Sequence, residues 1–173
     1  MRWENLFDDL EGRIVHERRQ ELAAEVADRR LRDVASTTLV ERLIAAREEP
    51  AAEVGVQLLD SSWVTGLVRD VGPGWVLVAG ARQVLVPLTS VALIRGLPAR
   101  SGAAASAVAA RHTLVFALRA LAEGDESVLV RTAAGDLRGR LGRVGADHVD
   151  VASGPAGSLS VPFSTVLSVA ELA

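Results

Sequence analysis

The strongest constraint on the fold is that one β-patterned stretch of the sequence occurs twice. Gly66 has a counterpart in Gly139, 73 positions later, and at the same shift Val71-Gly72 falls on Val144-Gly145. Trp75-Val76-Leu77-Val78-Ala79 likewise falls on His148-Val149-Asp150-Val151-Ala152. After a two-residue insertion, Val86-Pro87-Leu88-Thr89-Ser90-Val91 falls on Val161-Pro162-Phe163-Ser164-Thr165-Val166. Glycine, turn and proline recur in one order, so the chain is expected to build one small unit and then build it again.

The period of the apolar residues says what the unit is made of. Val54, Val56 and Leu58 alternate, as do Val64, Gly66 and Val68, then Val76 and Val78, then Val84 and Val86. Period two with β-branched residues is the signature of strands, and Gly72-Pro73-Gly74 is a turn. Each copy holds about five short strands in roughly 45 residues, and closing them into a small barrel is the economical way to hide their edges. Upstream the spacing is helical: Leu6, Leu10 and Ile14, then Leu22, Val26 and Leu31, then Leu39 and Leu43. Helices are predicted at about 3–35 and 39–48, the second opening on a Thr38/Glu41 capping box. A third is predicted near 106–122, stopped by Gly124.

The expected architecture is therefore mainly β with helical additions. Residues 1–50 form a helical arm and 53–97 a first small β-barrel. Residues 98–125 form a linker and connecting helix, and 126–173 a second small β-barrel. Edge-to-edge pairing of the barrels would make the chain a pseudo-dimer, and further pairing would build a ring or higher oligomer.

The stretch Val54–Ile94 resembles the Sm-like (LSm) barrel, a helix followed by five bent strands. Gly66 and Gly139 stand where that family bends its long second strand. SH3-like small barrels fit the same alternation. The chain also resembles an actinobacterial protein family that opens with Arg-Trp-Glu-Asn-Leu-Phe and carries a Val-Gly-Ala-Asp-His-Val turn. Sm-like proteins that bind RNA place an Asp and an Asn in the loop after strand two. Those places hold Gly72 and Val76 in the first copy and Gly145 and Val149 in the second. Ile94-Arg95-Gly96 resembles the second Sm signature, about eight residues late. The resemblance thus implies a barrel and departs from the family at its base-binding pair.

Composition narrows the chemistry. With 19 basic and 22 acidic side chains the net charge is −3, which gives no overall field toward nucleic acid or an anionic membrane. All basic residues are Arg, a pattern of GC-rich coding. Absence of Cys excludes disulfides and thiol nucleophiles. No apolar run reaches the roughly 18 residues of a membrane span, and the N-terminus turns acidic at once, so a cytoplasmic protein without membrane contact is expected.

The candidate sites are few. His16, His112 and His148 are not spaced as metal ligands, and neither a metal nor a cofactor is expected. Asp147 beside His148 is an acid–base pair in form, yet its counterpart is Gly74-Trp75, so both read as turn residues. Val71-Gly72-Pro73-Gly74 lacks the lysine and helix of a phosphate loop, and the serines at 158, 160 and 164 lack a nucleophile-elbow context. No enzyme is expected. Arg138, Arg140 and Arg143 are the candidate nucleic-acid contact, the first two on the outer face of a strand. Acidic residues lie near them in sequence, and aromatics are sparse, with three Trp, three Phe and no Tyr. Trp3, Leu6, Phe7 and Leu10, the densest apolar cluster of the arm, are the candidate partner-binding residues. The expected function is that of a non-enzymatic adaptor or regulatory scaffold with a protein partner or self-association. The alternative is an Sm-like regulator associated with RNA or DNA.

Overall fold

A computed structural model describes residues 22, 25–26, 28, 35–49, 51–100, 102, 112–154 and 157–172. The chain divides into two compact units, Met1–Thr37 and Thr38–Ala173. In the first, every described residue up to Ser36 is helical, and Leu22 and Val26 are exposed. Trp3, Leu6, Phe7 and Leu10 lie outside the described residues, as does His16.

The second unit is one ten-stranded antiparallel sheet. Its strands are β1 Glu53–Leu58, β2 Trp63–Gly72, β3 Trp75–Ala79, β4 Gln83–Pro87 and β5 Val91–Arg95. There follow β6 Ser127–Thr132, β7 Gly135–Val144, β8 His148–Ala152, β9 Ser158–Pro162 and β10 Val166–Glu171. The spatial order is β5-β1-β2-β3-β4-β10-β6-β7-β8-β9. Two five-stranded halves of identical internal order therefore meet at a β4–β10 seam, where Leu85 pairs with Val169 and Val84 with Ala170. The repeat read from the sequence is a repeat in space, and the mainly β class holds. Two separate five-stranded barrels are not shown among the described residues: the sheet is not closed, and β4 and β10 hide their edges against each other.

Each half bends at corresponding places. In β2 the register to β3 shifts between Val68 and Asp70, and in β7 the register to β8 shifts between Leu141 and Val144. Extra residues of this kind bend a strand and tighten its twist. Nearby, a Cβ on Gly66 would overlap the Ala79 carbonyl oxygen, and one on Gly139 would overlap that of Ala152. Only glycine lets strands two and three of each half approach so closely. Gly74 (φ 85°) follows Pro73 in the tight β2–β3 turn, which suits the glycine position of a type II turn. Pro87 and Pro162 each lead into a 3₁₀ turn, Leu88–Ser90 and Phe163–Thr165, that carries the chain to the last strand of its half.

Two hydrophobic cores result, and they interlock. Val54, Val56, Leu58, Val76, Val78 and Val86 centre the first; Val128, Val130, Val149, Val151 and Val161 centre the second. Trp75 and Leu85, from the first half, belong to the second core, while Leu167 of the second half belongs to the first. The buried Ser90 hydroxyl donates to the Val166 carbonyl across the seam at 2.5 Å.

Among the described residues two α-helices complete the unit. Helix α1, Leu39–Arg47, carries the expected capping box: the Glu41 N–H donates to Thr38 Oγ1 (3.2 Å) and the Thr38 N–H to Glu41 Oε2 (2.7 Å). Leu43, Ile44 and Ala46 pack on the first core. Helix α2, Leu114–Glu123, ends at Gly124 as expected but starts later than the predicted position 106. Residues 103–111 lie outside the described residues, and His112 and Thr113 are not helical. The Thr113 hydroxyl accepts from the Phe116 N–H and caps the helix there. Leu118 is buried in the second core. Among the described residues no helix is long and apolar enough to cross a membrane.

Candidate functional site

On the outer face of the first half, register places Arg95 of β5 opposite Gly55 of β1, and Gly55 opposite Thr65 of β2, next to Trp63 on the same face. A side chain at Gly55 would meet the Arg95 guanidinium arm, with Nε only 2.5 Å from the added carbon. Because Gly55 is bare, Arg95 lies across β1 and sets its guanidinium 4.7 Å from the Trp63 ring centroid. This cation–π contact fixes an indole that is still 45% exposed.

Trp63 forms one wall of a cleft of about 470 Å³ that spans the seam. The first half contributes Trp63, Thr65, Arg82 and Val84; the second contributes Leu129, Arg131, Asp136, Arg138, Ser168 and Ala170. The lining mixes apolar and neutral residues with three arginines and one carboxylate. Arg131 is held by two carboxylates, Asp136 at 3.3 Å and, across the halves, Asp60 at 3.9 Å. Asp60 accepts from the Ser62 hydroxyl at 2.6 Å and the Ser62 N–H at 3.0 Å. The Ser62 hydroxyl, with help from Arg131, holds this carboxyl below its ordinary range. Arg82 and Arg138 make no ion pair among the described residues. With Asp60 and Asp136 both on Arg131, three guanidinium groups stand against two carboxylates, and Arg82 and Arg138 leave the cleft a small local excess of positive charge in a protein of net charge −3.

The three arginines singled out in the sequence part company. Arg138 and Arg140 are exposed on the outer face of β7, with Leu137 and Leu141 turned inward. Of the pair, only Arg138 lines the cleft. Arg140 is committed to Asp125, at 3.0 Å. Arg143 sits in the irregular stretch where β7 bends. Asp147 and His148 make contact through Oδ1 and Nδ1 at 2.8 Å on an exposed turn, and that contact lowers the Asp147 pKa. His112 stacks on Phe116, ring centroids 4.6 Å apart, and its carbonyl accepts from Trp75 Nε1 at 2.7 Å. Among the described residues no three His, Cys, Asp or Glu side chains gather as a metal site.

Sequence reasoning missed Trp63 and Arg82, and saw Arg95 only as part of the Ile94-Arg95-Gly96 triplet. An aromatic does accompany Arg138, but it arrives from the other half of the sheet. The available signal was Gly55, a glycine inside a strand pattern, which marks a close approach by another group. Comparison with protein-family models, with curated proteins and with solved structures found no match to this chain.

Proposed function

We propose that this chain is a non-enzymatic adaptor or regulatory scaffold that works through its sheet edges and its helical arm. In this reading each half is a small Sm-like or SH3-like barrel module. The observation that carries it is the seam. The fourth strand of one half pairs with the fifth strand of the other, which leaves β9, a fourth strand, and β5, a fifth strand, at the two ends of the sheet. Head-to-tail joining of copies would repeat the contact the chain already makes within itself, and such a heterologous contact closes into a ring or runs on as a filament.

Register makes the contact specific. Leu85 and Val169 pair at the seam, and their counterparts on the free ends, 75 positions away in each case, are Ser160 and Ile94. The Phe163 N–H donates to the Asp147 carbonyl, and the Ser153 N–H to that of Gly157. With the β8–β9 register, ladder alternation then directs the N–H groups of Ser158 and Ser160 away from β8. Proline at Ser160 would delete an outward donor and spare the internal ladder.

Light scattering after size exclusion tests the reading. Wild-type protein is expected to run as a multimer and Ser160→Pro as a smaller species with an unchanged circular dichroism spectrum. A wild-type monomer at high concentration would sink the edge contact. The arm is tested separately: Trp3→Ala/Phe7→Ala should lose a protein partner captured by the wild type, and equal capture by both would remove the arm from the proposal.

A further inference from the structure

We propose that the seam cleft binds a nucleoside phosphate, either free or as one residue of a single strand. The proposal goes beyond the scaffold reading and does not depend on it.

The cleft offers two kinds of recognition side by side. Arg82 and Arg138 are cationic and without ion-pair partners among the described residues, and Arg131 is pinned between Asp60 and Asp136. A guanidinium recognises phosphate through parallel N–H donors, and a pinned one loses less freedom on binding. Beside them stands the half-exposed Trp63, fixed from across the sheet by Arg95. A preset indole offers a planar, apolar surface to a planar partner, as in stacking on bases. A simple anion would use the arginines and leave the indole idle; an apolar ligand would strand the charges. A phosphate joined to a flat heterocycle uses both. The volume, about 470 Å³, lies within the range of small-ligand sites.

The assembly also explains why the cleft exists only in the joined sheet. Trp63 and Arg82 come from the first half, and Arg131 and Arg138 from the second, so β4–β10 pairing brings them together. Neither half alone holds the aromatic and the unpaired Arg138. These residues are also distinct from Gly72, Val76, Gly145 and Val149, which occupy the base-binding places implied by the Sm-like resemblance.

The test uses the full chain and two probes, uridine 5′-monophosphate and a fluorescently labelled twelve-residue oligouridine. Calorimetry reads the first and anisotropy the second. Binding of at least one probe is expected, weakened about tenfold or more by Trp63→Ala and by Arg82→Glu/Arg138→Glu, with the circular dichroism spectrum retained. Arg143→Glu reverses one charge elsewhere on β7 and should alter affinity less than about twofold. Comparable affinity for both probes identifies a free nucleotide as sufficient; binding of the oligonucleotide alone identifies a strand. No binding of either probe at millimolar concentration overturns the proposal. So does binding that Arg143→Glu weakens as much as Arg82→Glu/Arg138→Glu, because the contact would then be general charge attraction. Binding indifferent to Trp63→Ala would remove the stacking step and with it the assignment to a nucleotide.

Discussion

Trp75→Ala should lower the free energy of unfolding by about 3–5 kcal/mol, the usual cost of emptying a buried aromatic site. Trp75 stands on β3 of the first half, is 4% exposed, and packs into the core of the second half. Its Nε1–H donates to the His112 carbonyl at 2.7 Å, tying β3 to the residue just ahead of α2. The ring also lies against Gly72, where an added Cβ would overlap it. Loss of the side chain thus opens a cavity, frees a part-buried carbonyl and loosens the seam together. Trp75→Phe separates these effects: it keeps most of the apolar contact and gives up the hydrogen bond, a loss of about 1 kcal/mol. Urea unfolding followed by circular dichroism measures both. Because Trp75 and Leu85 belong to the second core and Leu167 to the first, the second unit should melt in one transition with an unchanged m-value. A cost below about 1 kcal/mol for Trp75→Ala would show that the ring is not an element of that core.

That interlocking was the part of the fold least legible in the sequence. Strands were readable because period two is a local property of a few residues, and the repeat was readable because glycines and prolines recur at fixed offsets. The Thr38/Glu41 cap was readable for the same reason: both partners lie within one turn. The start of α2 was misplaced because the Ala-rich run before it has strong helix propensity, while the stop lies in Thr113, a single residue whose hydroxyl caps Phe116. Closure of the halves was not legible. Alternation counts strands but does not say which edges meet, and pairing of β4 with β10 satisfies the same edge groups that closure would. The cleft was hidden for a related reason. Arg138 was visible as an outward residue of a strand, but Trp63 lies 75 positions earlier and no periodicity connects them.

Gly139→Ala and Gly142→Ala, three positions apart on β7, should differ sharply in cost. A Cβ at Gly139 would overlap the Ala152 carbonyl oxygen and come within 3.2 Å of Val151 Cγ1. Since the obstacle is backbone, relief requires β7 and β8 to separate where Arg140 pairs with Ala152. Overpacking of this kind costs about 3 kcal/mol, at the upper end of its usual range. At Gly142 the nearest atom, the Asp150 carbonyl oxygen, lies 3.5 Å away, an ordinary contact. Alanine there also removes freedom from the unfolded chain, so its effect should fall between neutral and about 1 kcal/mol stabilising. Gly66→Ala supplies the matching arm in the first half, where Ala79 takes the place of Ala152. If strand approach through a bare α-carbon is a shared requirement of the two copies, Gly66→Ala and Gly139→Ala should cost alike. Thermal melts of the three variants decide the matter. Equal behaviour at Gly139 and Gly142 would mean that β7 needs flexible residues in general. A large cost at 139 and 66 with none at 142 would tie both repeats to the same backbone contact.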